Sequence, residues 1–225
     1  MSIIYYEKQG GNVMKKSVYS IVLMDDVIDK IDKLAYSHKT SRSNMINQIL
    51  AKAVSLTTPE KRMNDTFEEI FRIFGDFNDF RLDRQPSEAM MSFKSPLRYK
   101  YKPTIKYSLE LFRNIYPILG EIKIYTRTQN SELIYYLTKF FEVWSIIEKK
   151  YNNNLSYEIS DGKYTRKLIL QRENPNITNT QVAKSISDYI STTDKAIKIF
   201  FSNENNTVTI ENLYVQYLKN QPYPI

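Results

Sequence analysis

The chain has 225 residues, 42% of them hydrophobic and 25% charged, and a formal net charge of +7. It is long and apolar enough to bury a real core, and basic enough to suit a polyanion such as nucleic acid or an acidic membrane surface. The absence of cysteine excludes disulfides, thiolate metal sites and cysteine nucleophiles, and five glycines leave little for phosphate-cradling loops.

Residues 1–14 read as a flexible arm, broken at Gly10-Gly11, with Met14 a second plausible translation start. The first thirteen residues lack the apolar core of a secretion signal. No run approaches the roughly twenty apolar residues that span a bilayer. The expectation is a cytoplasmic protein with no membrane partner.

Residues 15–56 read as strand, helix, helix. Ser17 to Leu23 is rich in β-branched and aromatic residues, with Tyr19, Ile21 and Leu23 on one face and Lys16, Val18, Ser20 and Val22 on the other. Asp25 and Asp26 offer a cap and first-turn negative charge to a helix carrying Val27, Ile28, Ile31, Leu34 and Ala35 at helical spacing. The tract Ser37-His38-Lys39-Thr40 ends it. Ser41 is suited to cap a second helix, with Met45, Ile46, Ile49, Leu50, Ala53 and Val54 as its apolar stripe.

Residues 57–102 read as a linker with one short helix, capped at Asp65 or Thr66 and apolar at Phe67, Ile70, Phe71 and Phe74. Gly75 to Lys102 reads as irregular, with Pro86 and Pro96 as breakers. The stretch Leu97 to Lys102 alternates basic and aromatic residues. As a strand it would show Arg98, Lys100 and Lys102 on one face, a possible second basic surface that Arg81, Arg84, Lys94 and Lys106 would extend. An edge strand protected by charge is the plainer reading.

Residues 103–225 read as an α+β domain of antiparallel hairpins and helices. Strands are expected at Ile105 to Leu111 and Glu121 to Thr128, then a long helix from Ser131 to about Tyr151. Asp161-Gly162 marks a hairpin between Ser156–Ser160 and Lys163–Gln171. A helix at about Thr180 to Ser191 and a hairpin joining Ala196–Ser202 to Val208–Tyr214 complete the pattern. The order strand, strand, helix recurs in part, as in a degenerate repeat.

Other constellations are weaker. Asp76, Asp79 and Asp83 do not fit a calcium loop and read as a solvated acidic face. Glu121-Ile122-Lys123 resembles the Glu-x-Lys of metal-dependent nucleases, but the tripeptide is common and Glu110 lies on a different expected strand. His38, the sole histidine, sits in the inter-helix turn, which leaves none for catalysis elsewhere. The expectation is no enzyme, no cofactor and no metal.

The segment KKSVYSIVLMDDVIDKIDKLAYSHKTSRSNMINQILAKAV resembles the ribbon-helix-helix family of prokaryotic DNA-binding proteins, over under a fifth of the chain. The resemblance implies a dimer in which two strands pair as an antiparallel ribbon and four helices close one core. Tyr19, Ile21 and Leu23 would face inward, while Lys16, Val18, Ser20 and Val22 would face bases in the major groove. It also implies that Ser41, Arg42 and Ser43, at the start of the second helix, hold a DNA phosphate. The module departs from the family in having Lys39 where a glycine often stands, and valine at two of the four groove positions. Its seven Lys or Arg against four Asp favour a nucleic-acid partner.

The leading expectation is a dimeric, sequence-specific regulator of double-stranded DNA, a transcriptional repressor. The alternative is a plasmid partition, copy-control or conjugation accessory protein. An antitoxin is disfavoured because the C-terminal region reads as folded, and its effector or protein partner stays open.

Overall fold

The computed structural model describes residues 17–75, 80–84, 89–113, 118–170, 177–202 and 206–225. The chain divides into two compact units, residues 1–62 and 63–225. The arm at residues 1–14 and the expected acidic positions Asp76 and Asp79 lie outside the described residues.

The first unit contains α1 (Asp25–Ser37) and α2 (Arg42–Ala53), where helical spacing predicts them. Asp25 and Asp26 occupy the first turn of α1, next to the positive end of the helix dipole, but the cap position is Met24 and no side chain caps it. Between the helices Lys39 takes a φ of 52°, the left-handed region that a side chain resists. The buried members of the cluster between them are Ile31, Ala35 and Met45, with Leu23, Val27 and Ile46 packed against these.

The second unit begins with most of α3 (Pro59–Gly75), and continues as β1 (Arg81–Arg84), β2 (Met90–Pro96), β3 (Thr104–Leu111), β4 (Ile118–Thr126), α4 (Ser131–Tyr151), β5 (Tyr157–Ser160), β6 (Lys163–Ile169), α5 (Asn179–Ser202) and α6 (Thr207–Asn220). It is an α+β structure. The six strands form one antiparallel sheet in the order β1-β2-β3-β4-β6-β5.

One face of that sheet carries the core. Leu82, Phe93, Tyr107, Ile124, Tyr164 and Ile159 form a single cross-strand row. The helices pack on it: Phe74 of α3 meets Phe93, Phe141 of α4 stacks on Tyr164 at 5.3 Å, and Asp194 of α5 accepts a 2.9 Å hydrogen bond from the Tyr107 hydroxyl. α6 adds Tyr214 against Trp144 and Tyr217 against Tyr189. Each such fully buried aromatic contributes roughly 2–3 kcal/mol by leaving water. Gly120 is required where β4 crosses Glu110, because a Cβ there would meet the Glu110 carbonyl oxygen at 2.0 Å.

Several expectations are corrected. The segment 57–102 is no linker: α3 starts at Pro59, a residue suited to a first helical turn, and β1 and β2 follow. Ala196–Ser202 and Val208–Tyr214 are not a hairpin but the end of α5 and part of α6. The α5 helix is buried around most of its circumference, so the polar stripe that marks a surface helix is missing. The strand-strand-helix order therefore occurs at β3-β4-α4 and β5-β6-α5, with no third copy among the described residues. Leu97 to Lys102 is a loop and not a strand. Pro96 and Pro103 bracket it, Leu97 N–H donates to the Pro103 carbonyl at 2.8 Å, and Tyr101 and Lys102 take φ of 61° and 47°.

Candidate nucleic-acid interface

Residues 17–24 lead into α1 without forming a strand, and make no ladder hydrogen bonds among the described residues. A ladder needs a second strand, and the described residues of the first unit offer none. Val18, Ser20 and Val22 are exposed, as the groove-facing reading requires, but so are Tyr19 (83%) and Ile21 (56%), which that reading turns inward. Only Leu23 reaches the helix cluster. Lys16, the fourth groove-facing position, lies outside the described residues.

The helices leave further apolar surface in water. Leu34, Ile49, Leu50 and Val54 are all exposed, beside a cluster with three buried members. A strandless pair of short helices with so small a core falls well below what an independent domain needs to offset its conformational entropy.

The start of α2 is built as a capped terminus. Ser41 is the N-cap, its Oγ accepting from Asn44 N–H at 3.2 Å, and the Asn44 amide donates to Thr40 Oγ1 at 2.8 Å. The amides of Arg42 and Ser43 remain at the open end, on two exposed residues, where helix geometry supplies no acceptor. Arg42 is tied back. Its Nε donates to Asp32 Oδ1 at 2.6 Å and its Nη2 pairs with Oδ2. The Arg42 hydrogen bond holds the Asp32 carboxyl below its usual range, and Asp32 in turn raises Arg42. His38 donates its backbone N–H to Leu34 O as the C-cap of α1, a purely structural contact.

In the second unit, Arg98, Lys100 and Lys102 are exposed in the β2–β3 loop and do not share a strand face. Lys100 pairs with Glu132 of α4 at 3.1 Å. Arg98 and Lys102 have no ion-pair partner among the described residues. Lys94 and Lys106, by contrast, lie directly across from each other on β2 and β3, and Arg81 of β1 lies across from Lys94. The Glu121–Lys123 pair closes at 3.1 Å, and Glu110 sits directly opposite Glu121. The two carboxylates lie on separate strands, as the sequence predicts, and the antiparallel register of β3 and β4 brings them opposite one another. No third acidic or histidine side chain joins them in a metal-holding group among the described residues.

Sequence reading missed a buried polar centre. Arg166 of β6 and Glu148 of α4 form an ion pair at 3.3 Å with both side chains essentially inaccessible. Tyr164 donates its hydroxyl to Glu148, and the Arg166 guanidinium lies 4.3 Å from the centre of the Tyr189 ring. Burial pushes the Glu148 carboxyl up, against the opposing pull of Arg166 and Tyr164. No sequence signal marks it, since Arg166 sits in an ordinary alternating strand.

No helix among the described residues is long and apolar enough to cross a membrane. No family model, curated protein or solved structure matches the chain.

Proposed function

We propose that the chain is a sequence-specific double-stranded DNA-binding regulator, a transcriptional repressor that acts as a homodimer through residues 15–56. The observation that carries this reading is an exposed, unpaired apolar segment, Val18 to Val22, joined to a helix pair whose cluster has only three buried members. A second copy would supply the missing strand and the missing core together. The paired ribbon would turn Tyr19 and Ile21 inward and leave Lys16, Val18, Ser20 and Val22 for the major groove. Valines contact thymine methyls without reading hydrogen-bonding edges, so base readout rests on Lys16 and Ser20 and much of the affinity on phosphates. The capped start of α2, with Ser41, Arg42 and Ser43, suits one phosphate per copy.

Selection of bound duplexes from a random pool by the full chain tests this. A preferred palindrome whose half-sites lose preference on Ser20→Ala is the expected result. A dimer that selects no sequence would overturn it, and clustered direct repeats would move the reading to a partition protein.

A further inference from the structure

Basic residues gather toward one end of the sheet, on and around the face opposite the core. At one end stand the row Arg81, Lys94 and Lys106, the β2–β3 loop, the end of β4 and the start of β6. That end carries Arg81, Arg98, Lys102, Arg127 and Lys163, all exposed and none with an ion-pair partner among the described residues. Glu110 and Glu121 lie opposite one another near the other end of β3 and β4, while Asp83 and Glu158 stand one row in from the cations, across from Ser92 and Thr165, and Asp161 lies in the turn before Lys163. Between the two ends, Ser92 and Ser108 are buried and Thr165 is half-buried.

The loop itself is held at a cost. Tyr101 and Lys102 are consecutive residues with positive φ, and the Tyr101 ring is 95% exposed, so no packing of that ring accounts for its position.

We propose that this end of the sheet is a second duplex-DNA surface, which contacts the phosphate backbone independently of base sequence. The proposal rests on the chain being a duplex-binding protein, but its residues belong to the other unit, so the two readings fail separately. With five exposed cations that have no ion-pair partner among the described residues, this end of the sheet has the composition of a backbone contact. It lacks the apolar cluster that anchors a protein in lipid.

The test is the salt dependence of binding by the full chain to a random-sequence duplex. The combined variant Arg98→Gln, Lys102→Gln, Lys163→Gln should lower the slope of log affinity against log salt by roughly two to three, about 0.9 for each lost contact. A matched variant, Lys149→Gln, Lys195→Gln, Lys219→Gln, removes the same charge from helices of the same unit and should leave the slope unchanged. Sequence preference should survive the first variant, as it should not survive Ser20→Ala if the ribbon reads bases. Equal slopes for both triple variants, or no change in either, would overturn the proposal. So would a loss confined to single-stranded DNA or to vesicles of anionic lipid. Retained helix signal and thermal midpoint in both variants excludes unfolding as the cause.

Discussion

Arg42, the first residue of α2, and Asp32, in the middle of α1, form a bidentate ion pair that spans the inter-helix turn. The pair faces two ways. It braces the turn, and it occupies the guanidinium that the proposed phosphate contact requires. Nε and one Nη are engaged, so a phosphate must use the remaining donors or displace the carboxylate, whose charge also repels it.

Arg42→Ala should therefore weaken duplex binding on every sequence and lower the salt slope by about one. Asp32→Asn should act in the opposite direction, tightening binding roughly two- to five-fold, the range of an exposed ion pair. Anisotropy titrations at several salt concentrations read both. The folded Asp32 carboxyl is held below its unfolded value of about 3.9, so its stabilisation is present above that pH and disappears as pH falls through the folded value. The ratio of Asp32→Asn to unmodified affinity should accordingly be the same at pH 6 and pH 8. Weaker binding by Asp32→Asn would mean that the pair orders the phosphate site and does not compete with it.

Dimerisation gives the sharpest separation between one chain and two. Ile21 is 56% exposed in the single chain, and a substitution at such a position ordinarily changes stability by less than about 0.5 kcal/mol. In the proposed ribbon Ile21 is a core residue. Ile21→Asp should then abolish the dimer and with it duplex binding, while the second unit stays folded. Light scattering at micromolar concentration checks this; a folded monomer in the unmodified chain would end the ribbon reading.

Lys39 tests the turn by itself. Its φ of 52° costs a side-chain-bearing residue about 1–2 kcal/mol, and glycine returns part of that gain through its looser unfolded state. Lys39→Gly should raise the stability of the first unit by about 0.5 kcal/mol, and Lys39→Val should lower it. Far-ultraviolet dichroism in urea resolves the two. If Lys39→Gly is destabilising, contacts of the lysine side chain outweigh the backbone strain.

What was legible in the sequence followed from periodicity and turn chemistry. The α1 and α2 stripes, β3, β4 and the long α4 each carry one dominant pattern. Asp161 and Gly162 take the positive φ values that their pairing signals. Elements that face protein on most sides were not legible. β2 is buried at Met91, Ser92, Phe93 and Ser95, so both its faces read alike, and α5 lost the polar stripe that would separate it from a strand. The loop from Leu97 to Lys102 misled in the opposite way, since its alternation has no ladder behind it. At the candidate interface, the sequence indicated Ser41 as a cap, and the structure bears that out, but gave no sign that Asp32 would engage Arg42.

The Glu148–Arg166 pair, finally, predicts an asymmetry in how the second unit fails. Arg166 Nε and Nη1 have no hydrogen-bond acceptor among the described residues, and the guanidinium relies on Glu148 at 3.3 Å and on the Tyr189 ring. Removing one partner of such a pair strands a buried charge, at a cost of about 3–5 kcal/mol, whereas replacing both with apolar side chains of similar volume is often close to neutral. Glu148→Gln should thus destabilise the unit severely, and the double variant Glu148→Met with Arg166→Met should recover most of the loss. Trp144, the only tryptophan, is buried with its indole N–H 3.4 Å from the Tyr189 hydroxyl, so its fluorescence reports this core directly in urea titrations. Additive losses in Glu148→Met, Arg166→Met and the double variant would show that the pair is not coupled, and that Tyr164 and Tyr189 hold each charge on their own.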